Sequence, residues 1–237
     1  MNYFVDTNMP IGYAIPYDKW HEQSVDFFNN TNDPIYWSNL VKLEYTETIN
    51  GIIDDIEIFL TETKMILKDN DRDFSNYFCF ENFILKRTKH CNLDRVKKTK
   101  ILEYFWIKNN FVEGISSKIH FEFQNFTRKI LQIHSKRDFN IRHRILLHNC
   151  GLDNYLKYYD YAQELYDNGV HKPDCKIVID AHDCGRVNQN LIFVSNDEDM
   201  LEKISRIDTS HFNIIEFRSC NYGFSTSQSI KSTLPTG

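Results

Sequence analysis

The chain has 237 residues, 41% of them hydrophobic and 26% charged, which is ordinary for a globular protein and long enough for one large domain or a core with a sizeable insertion. The formal net charge of -5 excludes a global basic field of the kind that binds nucleic acid, so any such site must be a local patch. No apolar run reaches membrane-spanning length, and no charged leader with an apolar block opens the chain, so we expect a cytoplasmic protein with no membrane association. The six cysteines form no Cys-x-x-Cys pair and are expected to be reduced.

The chain begins with a short strand that runs directly into a polar turn. Residues 3–5 (Tyr-Phe-Val) are aromatic or β-branched, which is typical of a buried strand, and residues 6–8 (Asp-Thr-Asn) follow at once. Pro10 and Gly12 indicate that no regular element continues from this turn. An aspartate in such a place is usually a turn former or a helix cap, so Asp6 alone does not predict a site.

A helix, a second strand and another helix follow. The helix is predicted over residues 17–30, and the strand over residues 35–37. Ser38 is a favourable N-cap for the second helix, which we expect to end near Gly51. Glu44 lies in the second turn of that helix.

The middle of the chain is predicted to be helical throughout. Glycine is scarce and proline absent from residues 53 to 168, which suits helices, and helical segments are expected at residues 53–67, 74–89, 93–108, 115–137 and 141–166. We therefore predict an α/β core made of residues 1–52 and 169–218, a helical insertion over 53–168 that packs on the core, and a flexible tail over 219–237.

The α/β pattern returns in the last third of the chain. A helix is predicted over residues 174–183, because Pro173 is favoured in a first turn. Residues 191–194 (Leu-Ile-Phe-Val) are the clearest buried strand of the chain. A short helix over residues 200–204 and a last strand over 212–217 complete the prediction.

Two of the predicted strands end in the same way. Asp6 follows the first strand, and Asp197 follows the strand at 191–194 after Ser195 and Asn196. In a parallel sheet both carboxylates lie at the edge where such sheets bind ligands. Glu44 and Asp174 lie near the beginnings of helices that flank those strands. Four converging acids repel one another unless cations bind between them, and clustered carboxylates favour hard ions such as Mg²⁺ or Mn²⁺.

These acidic segments resemble the four acidic motifs of the PIN-domain ribonucleases, in family order. The matching segments are residues 4–8, 38–44, 172–174 and 193–199. The resemblance implies an α/β fold with a parallel-sheet, PIN-like, three-layer Rossmann-like core. The chain departs from the family in its middle, because a far longer helical segment separates Glu44 from Asp174 than in compact members.

The resemblance also implies an activity: a metal-dependent endoribonuclease that hydrolyses RNA with metal-activated water and leaves a 3′-hydroxyl and a 5′-phosphate. The implied catalytic residues are Asp6, Glu44, Asp174 and Asp197. These four, with Asp199 as an auxiliary ligand, would hold one or two Mg²⁺ or Mn²⁺ ions. Asn8 and Ser195 are predicted to orient the carboxylates or the phosphate.

Other functions remain open at this point. One alternative is a non-catalytic PIN-like module that binds RNA or serves as a scaffold, and another is a structure-specific DNA nuclease. Because toxin ribonucleases belong to the resembling family, an antitoxin-like protein is one candidate partner, and a homodimer is another candidate assembly.

Two groups of basic residues in the predicted insertion are candidates for RNA binding. Their alternative interpretation is a solvated helix face. The candidates are Lys86, Arg87, Lys97, Lys98, Arg142 and Arg144.

A group of tyrosines and one further aspartate lie outside these motifs. The tyrosines at 155, 158, 159 and 161 are interpreted as helix packing rather than base-stacking platforms. Asp180, about a turn and a half beyond Asp174, either supports the site or lies on the surface.

Overall fold

Five parallel strands form the sheet at the centre of the protein. The computed structural model describes residues 1–151 and 153–220, and the sheet order in this part of the chain is β3-β2-β1-β4-β5. The predicted α/β class with a parallel sheet is confirmed. The strands are β1 (Asn2–Val5), β2 (Ile35–Ser38), β3 (Leu146–His148), β4 (Leu191–Ser195) and β5 (Glu216–Ser219).

The strand order reverses at β1, which positions the site described below. The chain builds β2 and β3 on one side of β1, then crosses over and builds β4 and β5 on the other. The paired residues of β1 and β4 include Phe4 with Phe193 and Val5 with Val194. Every residue of β4 is buried, as expected for a parallel strand covered on both faces. The gap between the carboxyl ends of β1 and β4 is therefore a topological switch point, where open α/β sheets bind ligands.

Helices surround the sheet and extend away from it. The longest are α3, with 31 residues, and α6, with 29 residues. A continuous apolar core joins the strands to these helices. The helices are α1 (Asn8–Ala14), α2 (His21–Asn30), α3 (Asn39–Asp69), α4 (Tyr77–Leu85), α5 (Arg95–Lys108), α6 (Ser116–Arg144), α7 (Asn154–Lys157), α8 (Tyr159–Asp167), α9 (Lys172–Val187) and α10 (Glu198–Ile204), with a short 3₁₀ helix at Thr209–His211.

The predicted break after the first strand is wrong, because α1 begins there. Pro10 lies in the first turn of α1, where the backbone N–H has no intrahelical partner to lose. Gly12 serves packing rather than a turn: a Cβ at this position would come within 2.5 Å of Ser24 Oγ on α2. Small size, not conformational freedom, explains the glycine.

The helix predicted to end at Gly51 continues to Asp69, so the proposed boundary at residue 52 falls inside α3. Its start is confirmed, since Ser38 Oγ accepts a hydrogen bond from the N–H of Val41. Gly51 lies in open space, and the buried Ile49 and Ile56 keep one face of the helix on the core across it. Packing on that face offsets the low helix propensity of glycine.

The segment predicted as wholly helical contains a strand of the sheet. β3 (Leu146–His148) pairs with β2, with Leu147 opposite Trp37. The helix expected at residues 141–166 is consequently divided between the end of α6, this strand, α7 and α8. Strand β3 was missed because only three residues form it, and two of them are leucines that also suit a helix.

The end of the chain differs in register from its prediction. The last strand, expected at residues 212–217, is β5 at Glu216–Ser219, after the short 3₁₀ helix. Of the predicted tail, Ser219 ends β5, and residues 221–237 lie outside the described residues.

Among the described residues, no helix combines the length and the apolar character needed to cross a bilayer. All six cysteines lie in the described part of the chain and none of them is paired, as predicted.

Candidate active site

Asp6 lies at the switch point and is joined to both neighbouring turns. It directly follows β1, and only 7% of its surface is exposed. Its Oδ1 accepts the N–H of Thr7 at 2.6 Å. Its Oδ2 accepts the amide of Asn8 at 2.7 Å and the hydroxyl of Ser195, the last residue of β4, at 2.7 Å. The ends of β1 and β4 are thus tied together through the predicted carboxylate.

Asp197 reaches the same place from the other strand. Its N–H donates to Ser195 Oγ at 3.0 Å, and the N–H of Asn196 donates to Asn8 Oδ1 at 3.0 Å. The Oδ1 of Asp197 also caps α10 by accepting the N–H of Met200 at 3.0 Å. Asn8 and Ser195 therefore hold the two acidic turns against each other.

Glu44 and Asp174 approach from two helices. The hydroxyl of Thr7 donates to Glu44 Oε2 at 2.7 Å, so the residue after Asp6 fixes the carboxylate of α3. Asp174 lies in the first turn of α9. Both side chains are half-buried, and each acts electrostatically on Asp6.

The pKa values of two of these carboxylates, Asp6 and Asp174, are raised. Burial raises the pKa of Asp6 to about 7, against hydrogen bonds from Ser195 and Thr7, and the charges of Asp174 and Glu44 add to the rise. Burial also raises the pKa of Asp174, with further contributions from Asp197 and Glu44. Electrostatic interactions with His171 and Lys203 only partly oppose that rise. The four predicted acids are therefore linked by electrostatic repulsion, and nearby groups do not fully offset their negative charge.

The chemistry of this group suits a hard divalent cation, since its donors are carboxylate oxygens whose mutual repulsion a cation would relieve. The donors are not gathered into a finished site. Within residues 1–151 and 153–220, no three His, Cys, Asp or Glu side chains form a group that could hold a metal ion in this conformation. Side-chain rotation at the exposed Asp197 and the half-buried Glu44 and Asp174 is needed to bring them together.

Asp199, the auxiliary ligand implied by the resemblance, points its carboxylate to a lysine. Its Oδ2 accepts from Lys203 Nζ at 2.5 Å, and 70% of the Asp199 side chain is exposed. That hydrogen bond lowers the pKa of Asp199, opposite to the shift at Asp6 and Asp174.

No protein-family model, curated protein or solved structure matches the chain.

Two of the six predicted RNA-binding cations, Arg142 and Arg144, donate hydrogen bonds to other elements of the fold. Arg142 Nε donates to both carboxylate oxygens of Asp138 at 2.9 Å, and its Nη1 donates to Thr46. Arg144 donates to the carbonyl oxygens of Thr31 and Asp33. These contacts fasten α6 to α3 and to the loop before β2, which gives both arginines a structural role.

Of the remaining four cations, Lys86 is the C-cap of α4 and Arg87 follows it, whereas Lys97 and Lys98 lie on α5. Lys97 pairs with Asp94 at 3.6 Å. Arg87 donates to the carbonyl of Phe83 and covers its ring. Lys98 lies 6.0 Å from the ring centroid of Phe59, and Lys86 is exposed. RNA binding by this surface remains a prediction.

A second polar cluster, around Asp183 on α9, was not predicted. Its carboxylate accepts from Tyr158 at 2.6 Å, from Lys157 at 3.1 Å and from His148 at 3.2 Å, and Arg186 lies 3.3 Å away. Burial alone would raise the pKa of Asp183, but these hydrogen bonds outweigh it and hold the pKa at about 2. Because its partners come from β3, α7 and α9, no local sequence pattern predicts the cluster.

Asp180 is neither exposed at the surface nor part of the four-acid group. Only 6% of its surface is exposed, and its Oδ1 accepts the amide of Asn154 at 3.1 Å. Burial raises its pKa, and hydrogen bonds from Ser38, Asn154 and Cys150 oppose the rise. Asp180 thus supports Ser38, which caps the helix that carries Glu44.

Proposed function

We propose that this protein is a metal-dependent endoribonuclease with a PIN-like core, whose active site is the four-acid group at the switch point. One observation carries the proposal. The turns that follow β1 and β4 are joined where the strand order reverses, because Ser195 Oγ donates to Asp6 and accepts the N–H of Asp197, and Asp6 is electrostatically coupled to Glu44 and Asp174. This is where open α/β sheets bind ligands, and the resemblance to the four PIN motifs supplies the substrate class.

Each residue has a defined part in the proposed reaction. Asp6, Glu44, Asp174 and Asp197 would hold one or two Mg²⁺ or Mn²⁺ ions, which when bound lower the pKa of water and neutralise charge on the phosphate. Asn8 and Ser195 orient Asp6 through its Oδ2, and Thr7 orients Glu44 through its Oε2. The hydrogen bonds within the turns fix the carboxylates before substrate arrives, which reduces the reorganisation needed during the reaction.

Cleavage of defined oligonucleotides tests the proposal. The purified protein is incubated with single-stranded RNA, single-stranded DNA and a DNA flap, with Mn²⁺ or with a chelator. We expect chelator-sensitive cleavage of RNA with 5′-phosphate products, and its loss in Asp6→Asn. The exposed Asp26→Asn on α2 is the matched control and should cleave normally.

Retained cleavage in a folded Asp6→Asn protein would contradict the mechanism. Cleavage of the flap alone would favour a structure-specific DNA nuclease instead.

The non-catalytic module has one observation in its favour. The described carboxylates are not gathered into a three-ligand group, and both oxygens of Asp6 already accept hydrogen bonds from the protein. Binding of RNA with no cleavage in Mg²⁺ or Mn²⁺ would support this second candidate over the enzyme.

A further inference from the structure

A cavity of about 200 Å³ lies at the carboxyl ends of β2 and β3. This volume exceeds what one water molecule needs, and it is below the usual range for a pocket that encloses a drug-sized ligand. It suits one flat ring system rather than a whole nucleotide. The cavity is lined by Asn39, Leu40, Cys150, Gly151, Tyr155, Lys176 and Asp180.

The cavity shares two helices with the four-acid group. On α3, Leu40 lines the cavity and Glu44 lies one turn further along the same face, since residues four apart on a helix are neighbours. On α9, Lys176 lines the cavity two residues after Asp174. A chain bound at the acids can therefore place one of its groups in the cavity.

The lining combines an aromatic face with hydrogen-bonding groups. Tyr155 is half-buried and supplies the ring, Leu40 supplies an apolar contact, and Asn39 and the buried Asp180 supply polar atoms. Unpaired bases of RNA are recognised by stacking on aromatic rings and by hydrogen bonds to their edges. Stacking on a single ring is tolerant of sequence, because every base has a π-face.

A cation already lies against the aromatic wall. Lys176 Nζ is 4.6 Å from the centroid of the Tyr155 ring. A cation–π contact at a solvent-accessible site is weaker than the stacking of a base on an aromatic side chain. A stacked base therefore displaces the ammonium, which is carried on α9 two residues after Asp174 and becomes available to a backbone phosphate.

We propose that this cavity is a subsite for one unpaired nucleobase of single-stranded RNA, with Tyr155 as the stacking platform and Lys176 as the phosphate contact. This base would lie close to the bond that is cleaved, and that part of the inference rests on the proposed function. A base held in a duplex cannot enter, so the subsite selects single strands.

Equilibrium binding in chelator, where no cleavage occurs, tests the inference. One probe is an oligoadenylate of about ten nucleotides, and the other is a strand of the same length with every base removed, which keeps the phosphates. We expect the wild-type protein to bind the oligoadenylate about tenfold more tightly. Tyr155→Leu should lose that preference, and Tyr155→Phe should keep it. Tyr159→Leu, at an exposed tyrosine on the neighbouring helix α8, should also keep it.

The outcomes separate this inference from the proposed function. Equal binding of both strands by the wild-type protein, or an unchanged preference in Tyr155→Leu, would overturn the base subsite. Base preference without chelator-sensitive cleavage would reject the endoribonuclease and leave the subsite standing as a binding site. Chelator-sensitive cleavage without base preference would reject the base subsite and leave the endoribonuclease standing.

Discussion

Helix α9 carries two aspartates whose surroundings have opposite effects. Asp174 in its first turn faces Asp197 and Glu44, and burial together with these charges raises its pKa. Asp183, two and a half turns later, accepts hydrogen bonds from Tyr158, Lys157 and His148, which hold its pKa at about 2 against the effect of burial. One helix therefore carries an aspartate whose negative charge is not offset near its start and another whose charge is offset by hydrogen-bond donors near its end.

The difference separates a candidate functional site from a structural one. A neutralised, fully hydrogen-bonded carboxylate stabilises the fold, and the Asp183 cluster joins β3, α7 and α9. Carboxylates that raise one another's pKa cost stability unless a cation binds, and perturbed groups of this kind concentrate at functional sites. Changes at the switch-point acids should therefore alter activity, and changes at Asp183 should alter stability.

The largest expected effect is on cleavage. Asp197→Asn should reduce the cleavage rate on the order of a thousandfold or more, because it removes a cation ligand. Asparagine remains a good N-cap, so α10 should stay intact, and circular dichroism checks this. Asp199→Asn, which loses only an exposed ion pair with Lys203, should retain most activity. Equal losses in the two variants would make Asp199 a ligand as well.

The second effect is on stability. Asp183→Ala leaves Tyr158 and His148 without their acceptor, and we expect the free energy of unfolding to fall by about 2–3 kcal/mol. Urea denaturation measures the loss. The control Asp199→Ala should leave the midpoint of urea denaturation nearly unchanged, because exposed ion pairs contribute little. A stable Asp183→Ala protein would mean that the cluster is not structural.

The smallest effect concerns pH. Because the pKa of Asp183 is about 2 in the folded protein and about 3.9 in the unfolded chain, its contribution is fully present above pH 4. It is lost progressively as the pH falls through the folded pKa. The stability difference between the wild-type protein and Asp183→Asn, from urea denaturation between about pH 5 and pH 2.5, should narrow on acidification. A constant difference would contradict the assigned hydrogen bonds.

Local sequence patterns predicted the elements that position the four acids. The strand before Asp6, the strand before Asp197 and the Ser38 cap were identified because burial and capping depend on neighbouring residues. Asp6 directly follows β1 and Asp197 lies two residues after β4, so the sequence alone predicts both turns at one edge of a parallel sheet.

Features that depend on distant contacts could not be predicted. Gly12 was interpreted as a breaker, although it allows α1 to approach Ser24. The structural role of Arg142 depends on Asp138 and Thr46, and only the second of these is far away in sequence. Tyr155 packs against the apolar core, as predicted, but it also lines a cavity whose other walls come from α3, α9 and the loop after β3.

Calorimetric titration with Mn²⁺ tests most directly whether the switch-point acids form a cation site, because it requires no substrate. We expect the wild-type protein and Asp183→Asn, where it remains folded, to bind the ion. Asp6→Asn should bind at least about tenfold more weakly, since it loses one carboxylate ligand. Absence of binding to the wild-type protein, or equal affinity in a folded Asp6→Asn protein, would contradict the assignment of these four acids as a metal site.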